Sequence, residues 1–237
     1  MNYRMVLFKP LNIAYVNNRK AACTTIKHIL RRELNKYVTA ENNNKTICES
    51  IALHNQDDIN NFLLKNPKVK IFTFARNPYY RSLSLYRDKL NRYIKYYRPY
   101  IYTMSKLNQL MSGPSAWGNH LSKIDYAMRY IPFSAFIDGL EKHGVEFDGH
   151  FQKQSTLVGI GNIRYDYIGK IESFSDDMKS LLSKVGFTDA DVINKLCDIK
   201  RNESPPSRLS RDCLDSSVKE KIYDIYRDDF INFNYDK

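Results

Sequence analysis

Two periodicities divide the chain into elements. Ile13, Ala14, Tyr15 and Val16 form a short apolar run suited to a buried strand, and from Thr24 onward Ile26, Ile29 and Leu30 recur at helical spacing. A polar turn separates them, so the pattern predicts a strand, a turn and a helix over about Thr24 to Lys36. Tyr37 to Lys45 is polar with consecutive Asn and reads as an exposed loop, and Ile51, Ala52 and Leu53 are a short apolar piece ahead of His54. Asp57 to Leu64 starts on Asp and carries apolar residues at helical spacing, with Asn66-Pro67 as its stop. A second strand covers Val69 to Phe74 and ends at Ala75-Arg76-Asn77-Pro78; Tyr80, Leu83, Tyr86 and Leu90 then mark a helix over Tyr79 to Leu90.

Further along, Ile131 to Leu140 reads as a short helix opened by Pro132 and ended near Gly139, and Tyr165 to Gly169 as a third short strand. Ser175 to Val185 is a capped amphipathic helix closed by Gly186, followed by helices over Asp189 to Cys197 and Asp215 to Phe230. Tyr93 to Tyr102 interleaves tyrosines with Lys and Arg, the composition of a surface helix or lid, or of a wall on which sugar rings stack. Met111 to Asn119 is a loop, and Lys200 to Ser210 is irregular and basic. Strands alternating with helices imply an α/β fold, a central, mainly parallel sheet flanked by helices, with ligands at the carboxyl ends of the strands. A single domain over residues 1–237 is expected from this length.

Composition narrows the function classes. Lys and Arg outnumber Asp and Glu by 37 to 26, a formal net charge of +11 that favours polyanionic partners: nucleic acid, an anionic lipid surface, an acidic glycan or a phosphorylated cofactor. No apolar run is long enough to span a membrane, and the apolar core of the N-terminus is too short for a secretory signal, so a cytoplasmic location is expected for a chain starting at Met1. Cys23, Cys48, Cys197 and Cys213 lie far apart without CxxC spacing and read as free thiols; no His, Cys and carboxylate cluster has metal spacing, so no metal is expected.

Chemistry concentrates at two turns. A strand that feeds through small and hydroxyl residues into a helix aims unpaired N–H groups at whatever lies above the sheet, which is an anion site. Lys20 adds a mobile charge there, and Cys23, Thr24 and Thr25 offer short side chains and hydroxyls at the helix mouth. The string G-x-x-x-x-G-K-[ST] does not occur, which excludes an ordinary nucleoside-triphosphate loop. Arg76 directly follows the second strand, and Ser84 lies eight residues on; an Arg at a strand end and a Ser about two turns into the following helix can converge on one phosphate.

These stretches resemble a known family. RKAACTTIK is similar to the 5′-phosphosulfate loop, and FARNPYYRSLSLYRDKL to the 3′-phosphate motif R-[DN]-P-x-x-R-x-x-S-x-[YF]-R, of sulfotransferases that use 3′-phosphoadenosine-5′-phosphosulfate (PAPS). Among these the chain looks like the carbohydrate sulfotransferases of chondroitin and dermatan type and their bacterial counterparts. GHFQKQ resembles their H-W-x-P-Q segment, YDYIGKIESFSDD their Y-D-F-V-G-K-x-E-x-x-x-x-D segment, and YRDDFINFNY their C-terminal Y-x-x-D-F-x-x-F-x-Y. The resemblance implies a P-loop-like sulfotransferase fold, with Lys20 and the backbone of Ala22 to Thr25 on the 5′-phosphosulfate and Arg76 and Ser84 on the 3′-phosphate. By the same resemblance Lys200 and Arg201 form a late basic pair touching the 3′-phosphate, and Arg81 fits the motif. His54, twenty-two residues before Arg76, takes the place of a catalytic histidine and is the first choice of base; His150 is the second, and shapes the acceptor site. Arg19 stands where the family has Pro, Ile26 and Phe151 where it has Trp, and Lys153 where it has Pro.

The implied reaction is in-line sulfuryl transfer from PAPS to a saccharide or glycolipid hydroxyl. The protein contributes positioning, charge stabilisation and a base for the hydroxyl proton, and no metal. The basic face favours an acidic acceptor and leaves peripheral membrane association and oligomeric state open. A nucleotide or metabolite kinase on a related fold and a basic nucleic-acid-binding protein are the alternatives. The latter lacks any recognition-helix or zinc signature in the sequence, and nucleic acid is not the expected partner.

Overall fold

The computed structural model describes residues 3–38, 48–88, 132–146, 148–199 and 213–237. Tyr93 to Tyr102, Met111 to Asn119 and Lys200 to Ser210 lie outside these residues. Among the described residues five strands make one mixed sheet: β1 (Tyr3–Phe8), β2 (Ile13–Val16), β3 (Cys48–Leu53), β4 (Lys70–Ala75) and β5 (Tyr167–Lys170), in the order β3-β1-β2-β4-β5. The strands read from sequence are β2, β4 and β5, and they run parallel. Two more, β1 and β3, pair antiparallel on the other side. β1 carries an apolar run, Met5 to Phe8, as long as that of β2; β3 escapes the sequence pattern because only Leu53 of its six residues is buried, as suits an edge strand.

Side-chain alternation along the strands builds a core on each face. Val6, Phe8, Ile13, Tyr15, Phe72 and Phe74 face one way. They are covered by a helical run, α1 (Cys23–His28), a π-helical turn (Ile29–Glu33) and α2 (Leu34–Val38), and by α7 (Phe174–Lys184) and α8 (Ala190–Cys197). Tyr3, Met5, Leu7, Ala14, Val16 and Ile71 face the other way, against Ile59 and Phe62 of α3 (Gln56–Lys65), Val158 of α6 (Gln154–Val158) and Phe233. β2 has no exposed residue because it is central and covered on both faces, which is why its sequence is an unbroken apolar run rather than an alternating one. α8 is capped as its sequence demands: Asp189 Oδ1 accepts from Val192 N–H at 3.0 Å.

The chain divides into two compact units. The sheet unit is Met1–Asn77, Glu146–Glu203 and Tyr226–Lys237; the helical unit is Pro78–Val145 and Ser204–Ile225. In the helical unit, α4 (78–88) opens on Pro78 and packs Tyr86 against Phe133 and Phe136 of α5 (Phe133–His143), with centroids 5.1 and 5.5 Å apart. α5 continues past Gly139 and stops at Gly144, whose positive φ of 75° glycine adopts without steric cost. α9 (Ser216–Asn232) is broken at Tyr226 (φ −113°, ψ 23°), the residue at which the chain rejoins the sheet unit.

Candidate active site at the carboxyl edge of the sheet

Strand directions bring four segments to one edge. β2, β4 and β5 are parallel, and β3, antiparallel to β1 as β2 is, runs the same way. The residues after Val16, Leu53, Ala75 and Lys170 therefore all leave the same side of the sheet. From β2 the chain goes by α1 and α2, on one face, to β3; from β3 it returns by α3, on the opposite face, to β4. The ends of β2 and β4 are therefore neighbours at one edge, and the carboxyl edge of the strands is where open α/β sheets bind ligands.

The β2–α1 turn is strained into shape. Lys20 (φ 68°) and Ala22 (φ 49°) both adopt left-handed backbone without being glycine, a conformation that costs each about 1–2 kcal/mol. The first helical bond runs from Ile26 N–H to the Ala22 carbonyl at 3.0 Å, so the N–H groups of Cys23, Thr24 and Thr25 precede the ladder. Left-handed residues at a helix mouth turn successive N–H groups toward one point and make an anion-binding concavity. Ala22 and Cys23 are half-buried, Thr24 exposed and Thr25 buried.

Arg76 emerges from the neighbouring strand beside this turn. Its Nη1 donates to the Lys20 carbonyl at 3.4 Å, so the two turns expected to share a ligand are in contact. The backbone carrying Arg76 is held from two sides. Gln154, fully buried, accepts at Oε1 from Arg76 N–H (3.0 Å) and from Asn18 Nδ2 (3.1 Å), and donates from Nε2 to the Arg76 carbonyl (2.7 Å). On the next residue, Asn77 N–H donates to Glu172 Oε1 at 2.9 Å, and Tyr235 hydroxyl donates to Glu172 Oε2 at 2.8 Å. Burial and, secondarily, the Glu172 charge push the Tyr235 phenol well above its ordinary range, which keeps it a donor.

A second cluster lies against the same turn. His150 Nδ1 is 2.8 Å from Asp148 Oδ1 and 3.4 Å from Arg19 Nη1. The shorter contact decides the proton: Nδ1–H donates to Asp148, which leaves Nε2 as the ring's acceptor. Arg19 Nη1 stands 3.9 Å from the same carboxylate oxygen, and would be 2.6 Å from any Cβ at position 149, so Gly149 is what lets it come this close. His54 follows β3 at the same edge, with its N–H donating to Asp58 Oδ2 at 2.7 Å, and its residue is exposed.

Comparison with known proteins agrees with this geometry. The model of the sulfotransferase family matches residues 3–236. The chain belongs to the sulfotransferase family. It is similar to human Carbohydrate sulfotransferase 8 (25% identical over 233 residues, 95% of this chain and 54% of the relative) and human Carbohydrate sulfotransferase 9 (27% over 236 residues, 94% and 51%). Carbohydrate sulfotransferase 11 of Danio rerio is 23% identical over 244 residues, 98% of this chain and 66% of the relative. The chain spans about half the length of the two human relatives. No solved structure gives a significant match.

Within this sulfotransferase sheet, the downstream motifs prove to be braces. Asp177 collects Tyr167 hydroxyl (2.9 Å), Lys170 N–H (2.6 Å) and Ser173 hydroxyl (2.8 Å), and Asp166 accepts from Ile71 N–H (2.8 Å), fixing β5 beside β4. In YRDDFINFNY, Tyr226, Asp229, Phe230 and Phe233 are the buried positions. Tyr226 hydroxyl donates to the Phe151 carbonyl (2.9 Å), and Asp229 accepts from Gln154 N–H (2.8 Å), Ser155 N–H (2.8 Å) and Ser155 hydroxyl (2.9 Å). Gln154, Glu172 and Asp229 fall inside the sequence motifs, but the sequence alone assigns them no role. The available signal was that each stands at a position the family motif writes as a named residue rather than as x. Asp148 and Arg19 carried no such signal.

Among the residues expected at the site, Lys20, Ala22, Cys23, Thr24, Thr25, His54, Arg76 and His150 belong to the sheet unit. Ser84, half-buried in α4, belongs to the helical unit, as does Arg81, which is almost fully buried. Lys200 and Arg201 lie outside the described residues. Among the described residues no three His, Cys, Asp or Glu side chains converge as a metal site, and no helix is long and apolar enough to cross a membrane. Burial pushes the Cys48 thiol up to about 11 and raises Cys197, so neither is a reactive thiolate near neutrality. The site's donor set of two cations and turned N–H groups fits a ligand with anions at both ends, as PAPS has.

Proposed function

We propose that this chain transfers the sulfuryl group of PAPS to a hydroxyl of a saccharide or glycoconjugate. The observation that carries the reading is the contact between the two turns: Arg76 Nη1 reaches the Lys20 carbonyl, so the turns that carry the two cations meet at the ends of adjacent parallel strands. Lys20 and the N–H groups of residues 22–25 hold the 5′-phosphosulfate and stabilise the negative charge that gathers on the departing 5′-phosphate. Arg76 binds the 3′-phosphate through its planar fork. On the family resemblance, Ser84, Lys200 and Arg201 are further 3′-phosphate ligands.

A sugar hydroxyl is far too weak an acid to attack unaided, so a base takes its proton as the bond to sulfur forms. His54 is that base by its place at the end of β3. One observation favours His150 instead: the Asp148 contact that fixes its tautomer with Nε2 as acceptor. Loss of either histidine separates the two, because the true base, replaced by Ala, loses about 10²–10⁴-fold in turnover with donor affinity kept. The basic composition favours an acidic acceptor, and a cytoplasmic setting would offer glycan precursors as substrates.

Mass spectrometry of saccharides incubated with the protein and PAPS tests the reading. A gain of one SO₃, abolished by Lys20→Ala, is expected. Stabilisation by ATP and magnesium without any by adenosine 3′,5′-bisphosphate would overturn it in favour of a kinase, and salt-steep binding of DNA or RNA without sulfation in favour of a nucleic-acid-binding protein.

A further inference from the structure

The side chain of Gln154 joins the two turns of the donor site. Its Oε1 accepts from the turn after β2, through Asn18 Nδ2, and from the turn after β4, through Arg76 N–H; its Nε2 closes on the Arg76 carbonyl. Asn18 is itself buried and anchored to the Phe74 carbonyl at 2.9 Å. One primary amide therefore bridges the two turns and pairs with both backbone groups of Arg76, as a neighbouring strand would. Beyond Arg76 the second hold is Glu172, kept in place by the Tyr235 hydroxyl and taking the Asn77 N–H.

We infer that Gln154 is a positioning residue for donor recognition: by pinning the backbone of Arg76 to the Lys20 turn, it sets the distance between the two anion-binding points and hence the affinity for the 3′-phosphate. The inference rests on the sulfotransferase reading above. The guanidinium fork recognises phosphate by direction as well as by charge, and a backbone free to rotate at Arg76 loses that direction. Asp229, through its bonds to Gln154 N–H and to Ser155, holds the segment that supplies the amide. Glu172 and Tyr235 act as an independent second brace on the same loop.

The test compares two nucleotides that differ by one group. Calorimetry would measure adenosine 3′,5′-bisphosphate and adenosine 5′-monophosphate on the full chain, wild type and Gln154→Glu, at a temperature where both are folded. Glu keeps the Oε1 acceptor and replaces the Nε2 donor by an oxygen facing the Arg76 carbonyl. Bisphosphate affinity is expected to fall about 10–100-fold, the worth of a charge-assisted phosphate contact, with monophosphate affinity changed less than about threefold. Tyr235→Phe, which removes only the hydroxyl hold on Glu172, should show the same selectivity at about 2–5-fold and covers the case in which Gln154→Glu does not fold. Equal losses for both nucleotides, or an unchanged ratio in the folded variants, would overturn the inference and leave the sulfotransferase reading standing. A wild-type protein that binds the bisphosphate no better than the monophosphate would overturn both.

Discussion

Asp229→Ala removes a fully buried carboxylate that organises a single turn. Gln154 N–H at 2.8 Å, Ser155 N–H at 2.8 Å and Ser155 hydroxyl at 2.9 Å all donate to it. Two N–H groups left without an acceptor cost about 1–3 kcal/mol each and the hydroxyl about 1 kcal/mol, so the gross loss is about 3–7 kcal/mol. The carboxylate's own desolvation is relieved in the variant, and breaking a buried charged arrangement nets about 3–5 kcal/mol. At roughly 2–4 °C of Tm per kcal/mol for a chain of this size, scanning calorimetry should find Asp229→Ala lower by about 6–20 °C. Asp229→Asn should fall between wild type and Ala. Its remaining oxygen can keep the two bonds to Ser155, while its amide N–H₂ meets Gln154 N–H donor to donor. A drop of less than about 3 °C for Ala, or an Asn variant less stable than Ala, would refute the assignment of three bonds to this carboxylate.

Three further outcomes are expected. Gly169→Ala places a Cβ 2.5–2.8 Å from the Phe74 ring, which Phe72 and Phe174 hem in at centroid distances of 6.3 and 5.2 Å; urea denaturation should show a loss of about 1–3 kcal/mol, and an unchanged midpoint would show that the ring can move aside. Ala22→Gly relieves a left-handed residue worth about 1–2 kcal/mol against an unfolded-state cost of about 0.4–1 kcal/mol, so a small gain of about 0.5 kcal/mol is expected, and a loss would contradict the left-handed backbone at this position. Burial raises the Cys48 thiol from 9.0 to about 11, so the fold favours its neutral form; that contribution is intact below about pH 9 and is lost as pH rises toward 11. Urea midpoints followed from pH 8 to 11 should fall less steeply in Cys48→Ala than in wild type, and parallel slopes would exclude Cys48 as a source.

The pattern of apolar residues along the chain was enough for the elements that are buried on both faces or strongly amphipathic. β2 and β4 are legible because a central strand has no polar side to show, and α7 and α8 because one face alone is apolar. Lys20 and Arg76 could be named from sequence because a strand end followed by a helix start fixes where a side chain emerges, whatever the rest of the molecule does. β3 could not, since an edge strand with one buried residue in six lacks a period to detect. Its pairing, and with it the arrival of His54 at the carboxyl edge, exists only once β1 is in place.

Tertiary structure alone decided what holds the site. Gln154 meets Asn18 and Arg76 across 136 and 78 residues of sequence, and Asp229 meets Gln154 across 75. Such pairings leave no trace in local spacing, because a hydrogen bond depends on where atoms are and not on how many residues separate them along the chain. Sequence determined which residues could carry charge to the carboxyl edge; the fold determined which amide and carboxylates would keep their backbone there.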